Sequence, residues 1–208
     1  MLLRIISICL IAVGATFATT AHEIVEKTEA IYAKNKTFSV KFTQTVSAGD
    51  FFDDDKTSGT MLLSYPNKFR VETPEQTLTS DGDSLWTYSV ENKQVTIESM
   101  IGLEDVVTPA DYLFRFKEHY DLTYDSTETI AKRSCHKLSL KSKNDNEYVR
   151  SMKVFIDMET SLVRRVIYRD LNDNNITLDF ADWKLGAEID PKEFRFRTPS
   201  GVEEVRVP

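Results

Sequence analysis

The alternation of apolar and polar residues changes its period once near the start of the chain. From Glu23 to Lys34 the apolar side chains recur at the spacing of one helical face. After Asn35 the period becomes two, and Phe38, Val40 and Phe42 alternate with polar residues. The pattern predicts an amphipathic helix followed by a strand that buries one of its two faces.

Short stretches of period two continue along most of the remaining chain, separated by turn residues. Asp81-Gly82 is a strong hairpin signal, and Pro66-Asn67, residues 91–93 and residues 172–175 are further turn signals. The predicted strands are Phe38–Thr43, Thr60–Tyr65, Lys68–Glu72, Thr77–Ser80, Leu85–Val90, Gln94–Glu98, Cys135–Lys141, Val149–Asp157, Leu162–Arg169, Ile176–Trp183 and Phe194–Arg197. Because hairpin turns join antiparallel neighbours, we expect a mainly β protein built on a meandering sheet.

The alternation stops between Gly102 and Tyr120. Within this stretch, Thr108–Asp111 resembles a helix N-cap followed by proline at the first helical position, so one or two short helices are predicted. Since a sheet has to cover its apolar face, we expect these helices and the N-terminal helix to cap a curved sheet. Gly49–Ser58, with its three aspartates at 53–55, is predicted to be a solvated loop.

The first residues of the chain have the pattern of an export signal. Arg4 precedes the apolar stretch Ile5–Phe17, and small residues follow up to Ala21. The apolar stretch is shorter than the roughly 18–20 residues that a membrane-spanning helix needs. We therefore predict that residues 1–21 are a signal peptide, cleaved before His22, that residues 22–208 form a single domain, and that this domain is periplasmic.

Composition and charge restrict the possible partners. With 41% hydrophobic and 28% charged residues, the chain is ordinary for a globular protein with one sizeable core. The net charge of −7 argues against nucleic acid or an anionic membrane surface as the main partner. After signal cleavage Cys135 is the sole cysteine, so an internal disulfide is excluded and the core alone has to stabilise the fold.

Side chains that carry out chemistry are sparse. None of His22, His119 and His136 stands at metal-ligand spacing from another or from Cys135. Ser134, Cys135 and His136 are consecutive in a predicted strand, and neighbours in a strand point to opposite faces. The sequence also contains no glycine-rich phosphate loop and no serine elbow. We therefore predict no metal site, no cofactor and no enzymatic activity.

A series of motifs resembles the outer-membrane lipoprotein carrier family, LolA. No single motif is specific, but their order and spacing after a signal peptide are similar to that family over nearly the whole mature chain. The motifs are Phe42–Gln44, Gly59–Leu63, Tyr65–Arg70, Ser80–Tyr88, Thr108-Pro109 and Phe194–Glu203.

The resemblance implies both an architecture and a function. The architecture is an incomplete antiparallel β-barrel, or half-barrel, whose hydrophobic concave face is covered by the N-terminal helix and short central lid helices. The function is that of a periplasmic carrier that binds the acyl chains of lipoproteins released from the inner membrane and delivers them to the outer membrane. The implied partners are acylated lipoproteins, an inner-membrane lipoprotein-releasing ABC transporter complex and an outer-membrane acceptor lipoprotein or its equivalent, and a monomer is expected.

The resemblance also suggests which side chains bind acyl chains. Period two does not decide which face of each strand points inward, because a shift of one residue exchanges the two faces. The predicted cavity residues are Phe38, Phe42, Met61, Leu63, Phe69, Trp86 and Tyr88 from the sheet, with Tyr112, Leu113 and Phe116 from the lid.

The sequence departs from the family pattern at one position. Many members have arginine directly before the proline of the third motif, where it is thought to contact the lid, whereas this chain has Tyr65. Tyr65 could contact the lid through its hydroxyl, and Arg70 is the nearest arginine, although it is not equivalent in position. Tyr65 and Arg70 are therefore the candidates for a lid latch.

Two other classes of function remain open. One is a periplasmic regulatory binding module that senses lipid or protein without shuttling. Such sensors usually add a second domain, for which this chain has no length to spare. The other is a periplasmic hydrolase, for which the sequence offers no candidate catalytic residue.

Overall fold

The computed structural model describes residues 20–47, 53–101, 108–109, 113–144, 149–170 and 173–207. Its first element is helix α1 (Ala21–Asn35), close to the predicted bounds. The helix begins there because the Thr20 hydroxyl accepts the N–H of Glu23 while the Glu23 carboxylate accepts the N–H of Thr20. The predicted cleavage before His22 falls inside α1 and would remove this cap. The rest of the predicted signal peptide lies outside the described residues.

The described residues form twelve strands and two further short helical segments. The strands are β1 (Thr37–Ser47), β2 (Asp55–Ser64), β3 (Lys68–Glu72), β4 (Gln76–Ser80), β5 (Ser84–Ser89), β6 (Gln94–Ser99), β7 (Tyr120–Ile130), β8 (Arg133–Ser142), β9 (Ser151–Asp157), β10 (Val163–Arg169), β11 (Asn175–Leu185) and β12 (Glu203–Arg206). The helical segments are α2 (Phe116–His119) and a 3₁₀ helix (Pro191–Phe194).

All twelve strands belong to one sheet with the order β12-β6-β5-β4-β3-β2-β1-β11-β10-β9-β8-β7. Every pair of neighbours is antiparallel except β12 and β6, which are parallel. The pairing of β1 with β11 joins two meanders, β1–β6 and β7–β11. Among the described residues β12 and β7 are the two edges, so the curved sheet is open. The predicted class, a mainly β half-barrel, is confirmed.

Strand β7 is absent from the sequence prediction. Its two end residues, Tyr120 and Ile130, are buried, but those between them are half-buried or exposed on both faces. The apolar alternation that marks a half-buried strand is therefore missing, and tertiary pairing with β8 determines the conformation instead. The prediction of a loop over Gly49–Ser58 is also wrong at its end, because β2 already begins at Asp55.

The C-terminal region differs from the predicted strand Phe194–Arg197. The chain forms the 3₁₀ helix here because the Asp190 carboxylate accepts the N–H of Lys192 and Pro191 occupies the first helical position. The edge strand β12, which the sequence prediction lacks, follows only at Glu203. The apolar spacing of Phe194 and Phe196 is thus a feature of a segment that packs on the sheet without pairing to it.

The main core lies between α1 and one face of the sheet. Ile24, Val25 and Tyr32 of α1 are at most 3% exposed and belong to the same apolar cluster as side chains from both meanders. A second, small cluster of Ile130, Phe155 and the free Cys135 lies on the opposite face. Burial raises the pKa of the Cys135 thiol, so the thiol stays protonated near neutral pH and packs as a core side chain.

A buried carboxylate fixes the turn between β9 and β10. Asp157 is 1% exposed, and its Oδ1 accepts the N–H groups of Glu159 and Thr160. Its Oδ2 lies 3.0 Å from Nε of Arg164. Burial opposes ionisation, but the N–H donors and the guanidinium outweigh it, so the pKa of Asp157 lies below its ordinary value. The charged form therefore stabilises the folded chain.

Replacing Asp157 with asparagine should lower the free energy of unfolding near neutral pH by about 1–3 kcal/mol, because Arg164 loses its charged partner at a buried site. A depressed carboxyl pKa contributes stability that is present above the unfolded pKa of about 3.9 and is lost as the pH falls. The difference from the wild type should therefore shrink at about pH 3. Urea unfolding near neutral pH and at about pH 3 measures the difference in the free energy of unfolding. The control is Asp83→Asn, because Asp83 is exposed. A difference that does not change with pH would contradict this role of the charge.

Candidate functional site

Three neighbouring strands place large apolar side chains on the face of the sheet that α1 covers. Phe38 of β1 lies opposite Leu63 of β2, which lies opposite Phe69 of β3. Val40 of β1 lies opposite Met61 of β2 in the same way. Directly paired residues of antiparallel strands point to the same face, and all five side chains are at most 5% exposed. They form a continuous apolar surface, which we call the concave face.

Phe42 extends this surface because its partner in β2 has no side chain. It lies opposite Gly59, where an added Cβ would lie 2.7 Å from Cε1 of Phe42 and would overlap the carbonyl oxygen of Glu72. Glycine inside a strand marks such a close approach. Gly59, the first residue of one of the family-like motifs, therefore provides the space in which the Phe42 ring lies.

Tyr32 of α1 is at the centre of a cluster of aromatic rings on the concave face. Its ring centroid lies 5.2 Å from that of Phe38, 5.2 Å from that of Phe114 and 5.6 Å from that of Trp183. The side chain is fully buried, and its hydroxyl accepts the N–H of Val163 at 3.5 Å. Burial raises the pKa of Tyr32 far above its ordinary value, so the hydroxyl stays neutral. This cluster joins α1, the lid and both meanders.

A β-bulge brings Trp183 into this cluster. Asp182 has a φ of 51°, and the register between β1 and β11 shifts at this point. Because of the shift, Phe180 and Trp183 both pack on the concave face, with 6.1 Å between their ring centroids. The indole N–H of Trp183 donates to the carbonyl of Val163 at 3.1 Å. The sequence prediction assigned this strand but not its bulge, and so missed Trp183.

The central segment closes over the concave face. We call the described residues 113–119 the lid segment, of which Leu113 and Phe116 are fully buried and Phe114 is 4% exposed. The predicted lid residues Leu113 and Phe116 thus belong to the same apolar cluster as the concave face. Tyr112, the third predicted lid residue, lies outside the described residues. Phe114 was not among the predicted cavity residues, yet its ring contacts those of Tyr32 and Phe38.

The structure places Trp86 and Tyr88 on the opposite face of the sheet from the predicted cavity residues of β1, β2 and β3. Leu85, their neighbour in β5, is buried in the concave cluster, and successive residues of a strand alternate between faces. The ring of Tyr88 lies 5.3 Å from that of Phe196 in the C-terminal segment. Trp86 and Tyr88 are the larger side chains of β5, but each lies one position away from a residue that points to the concave face, so it points to the other side.

The two latch candidates also lie in different places. The Tyr65 ring, 42% exposed, lies 5.4 Å from the Phe114 ring of the lid segment. Arg70 is on the other face, where it forms ion pairs with Glu72 and, at 3.8 Å, with Glu193 of the 3₁₀ helix. Arg70 therefore anchors the C-terminal segment, and of the two candidates only Tyr65 contacts the lid segment.

The lid segment is also linked to α1 by charge. Nζ of Lys117 lies 3.1 Å from the Glu29 carboxylate and 3.5 Å from that of Glu26. The hydrogen bond to Glu29 raises the pKa of Lys117 above its ordinary value. Lys143 also holds the lid segment. Its Nζ donates to the main-chain carbonyl of Lys117 at 2.7 Å, and its main-chain N–H donates to the carbonyl of His119 at 2.9 Å.

His136 lies on the same face of β8 as the core residue Leu138, two positions further along the strand. The centroid of its ring is 5.9 Å from that of Tyr124. Burial, with a smaller effect of Lys27, lowers the pKa of His136, so the ring is neutral at pH 7.

In the described parts of the chain, no three His, Cys, Asp or Glu side chains are grouped so that they could hold a metal ion. Nor does this part contain a helix long and apolar enough to cross a membrane.

Comparisons with known sequences agree on one family. The family model described as outer membrane lipoprotein carrier protein LolA matches residues 33–197. An outer-membrane lipoprotein carrier protein of Legionella pneumophila (strain Paris) is 29% identical over 196 residues, which cover 89% of this chain and 94% of the relative. One of Aeromonas salmonicida (strain A449) is 25% identical over 206 residues, which cover 95% and 94% of the two chains.

Solved structures share the architecture. An uncharacterized conserved protein from Thermus thermophilus superposes with a TM-score of 0.61 at 15% identity, covering 90% of this chain and 99% of its own. A LolA superfamily protein from Nitrosomonas europaea superposes with a TM-score of 0.50 at 17% identity, covering 86% and 99%. At such identities the likeness shows the fold alone.

Replacing Gly59 with alanine should lower the free energy of unfolding by about 1–3 kcal/mol, because the added methyl group displaces the Phe42 ring and the backbone of β3. Thermal or urea unfolding measures the change. Thr60→Ala is the matched control, since it alters the next residue of β2 on the other face of the sheet. If Gly59→Ala were as stable as this control, the close packing of Phe42 against β2 would be refuted.

Proposed function

Because this chain belongs to the outer-membrane lipoprotein carrier family LolA, we propose that it carries lipoproteins through the periplasm with their acyl chains held on the concave face. In this proposal residues 1–21 direct export, and a single carrier domain follows. It receives acylated lipoproteins from an inner-membrane lipoprotein-releasing ABC transporter complex and delivers them to an outer-membrane acceptor. The carrier binds and releases its cargo without catalysing a reaction.

The observation that carries the proposal is the way the lid segment covers the concave face. Leu113, Phe114 and Phe116 fill apolar space against Tyr32 and Phe38. An acyl chain has the same apolar character, so it can replace these side chains with little net loss of buried surface. Each buried methylene contributes about 0.8 kcal/mol, which is why acyl chains need such a cover while they cross water.

The residues proposed to contact acyl chains follow from the geometry of this surface. They combine the predicted residues that share the concave face with the aromatic residues that the structure adds. They are Phe38, Phe42, Met61, Leu63 and Phe69 of the sheet, Leu113, Phe114 and Phe116 of the lid segment, and Tyr32 and Trp183. Trp86 and Tyr88 are left out, because they lie on the opposite face.

The two tryptophans provide a direct test, because they lie on opposite faces of the sheet. In Trp86→Phe the remaining fluorophore is Trp183, and in Trp183→Phe it is Trp86. A triacylated lipopeptide with brominated acyl chains should quench Trp183 strongly and leave Trp86 nearly unchanged, since bromine quenches by contact. Equal quenching of the two, or none of Trp183, would contradict acyl binding on the concave face. Circular dichroism of both variants checks that they are folded.

Replacing Leu113 with aspartate should weaken lipopeptide binding at least about tenfold, since placing a carboxylate on an apolar surface costs more than the roughly 1.4 kcal/mol that this factor requires. Titration of the lipopeptide measures the affinity. Leu113→Met keeps the volume and the apolar character and should bind like the wild type. Unchanged affinity in a folded Leu113→Asp protein would refute the role of the lid segment.

A regulatory binding module is the alternative from another class. It would bind lipid on the same face but would not transfer it. Incubation of the lipopeptide complex with acceptor vesicles or with a purified outer-membrane acceptor separates the two, because only a carrier gives up its cargo to the acceptor.

A further inference from the structure

The contacts that hold the lid segment are of two kinds. Leu113, Phe114 and Phe116 make apolar contacts on the concave face, which an acyl chain can replace. Lys117 makes ionic contacts with Glu26 and Glu29, whose side chains are 61% and 23% exposed. An acyl chain offers no charge, so it cannot replace these. The ionic contacts therefore oppose lid opening in a way that cargo alone does not relieve.

The geometry favours a specific role for Glu29. Its carboxylate meets Nζ of Lys117 at 3.1 Å and also accepts the main-chain N–H of Lys117 at 3.4 Å. Glu26 lies three residues earlier on α1, so both carboxylates face the same side of the helix and meet one ammonium group. Two anionic groups around one cation form a small network, which stabilises more than an isolated surface pair.

The lid segment keeps a second attachment when the first is broken. Lys143, directly after β8, donates to the carbonyls of Lys117 and His119. This attachment joins the lid segment to the sheet beside β7, whereas the contact with Glu29 joins it to α1. When the lid segment separates from α1, its C-terminal end thus stays fixed to the sheet.

We propose that Lys117, Glu29 and Glu26 form an ionic clasp, and that this clasp sets how readily the lid segment leaves α1 to admit an acyl chain; the link to cargo rests on the proposed function. The clasp supplies a charged contact with the lid segment, whereas the latch candidate Tyr65 contacts it through its ring and Arg70 lies on the other face of the sheet. Its residues are positioning residues, since they act on cargo only through the lid segment. Because its charges are partly exposed, the clasp weakens as salt screens them.

The first test measures lid opening without any cargo. Hydrogen–deuterium exchange of residues 113–119 is compared between the wild type, Lys117→Met, Glu29→Gln and the double variant. Glu29→Gln removes the charge but keeps an acceptor for the N–H of Lys117. Each single variant should exchange about two- to fivefold faster, as expected for an exposed ion pair or a small network. The double variant should exchange no faster than the faster single variant, because both remove the same interaction.

Salt and a matched lysine provide the controls. Raising the ionic strength from about 0.05 M to about 0.5 M should speed exchange of the lid segment in the wild type but not in Lys117→Met. Lys41→Met removes an exposed ion pair with Asp182, at 2.9 Å, on the other face of the sheet. At either salt concentration, the lid segment of Lys41→Met should exchange at the same rate as that of the wild type. All variants should unfold at nearly the wild-type temperature.

Three results would overturn the clasp: exchange equal to that of the wild type in Lys117→Met, additive effects in the double variant, or equal salt dependence in the wild type and Lys117→Met.

The second test is the association rate of the brominated lipopeptide, which should rise by the same two- to fivefold factor in each single variant. If neither the wild type nor any variant binds the lipopeptide, the proposed function fails, and the exchange data still decide whether the clasp exists. If lipopeptide binds but the variants exchange like the wild type, only the clasp fails.

Discussion

The apolar surface on one face of the open sheet has to be shielded from water, and the other elements are arranged around that requirement. Helix α1 shields part of it through a stripe in which Val25 and Tyr32 are fully buried. The lid segment shields the rest with Leu113, Phe114 and Phe116. The sheet, α1 and the lid segment thus form one site.

Hydrophobic periodicity predicts the fold well wherever one face of an element is apolar. It locates α1 and ten of the twelve strands, and the hairpin signal Asp81-Gly82 correctly joins β4 to β5. It fails at β7, where polar residues occupy both faces and pairing with β8 decides the conformation. It fails again after Pro191, because a spacing of two between Phe194 and Phe196 does not require strand pairing. The two strands that it misses, β7 and β12, are the two edges of the sheet in the described residues, so each pairs with one neighbour only.

The candidate site is harder to predict, because it depends on register and on contacts between distant segments. In β5 the size of Trp86 favours the wrong face, and only the pairing with β4 shows that Leu85 points to the concave side. Trp183 joins the site through a bulge that no local pattern signals. The contact between Glu29 and Lys117 connects residues 88 positions apart. A family resemblance suggested a latch near Tyr65, but the charged contact with the lid segment comes from α1 instead.

If the concave face holds the acyl chains of lipoproteins, the mature protein should carry them in cells, and its cargo can be identified there. The protein is purified from the periplasm of lipoprotein-producing cells and analysed by intact mass spectrometry under conditions that preserve complexes. We expect a stoichiometric acylated lipoprotein with the wild-type protein and none with the Leu113→Asp variant. Free lipid alone, or a protein partner without acyl chains, would contradict this expectation.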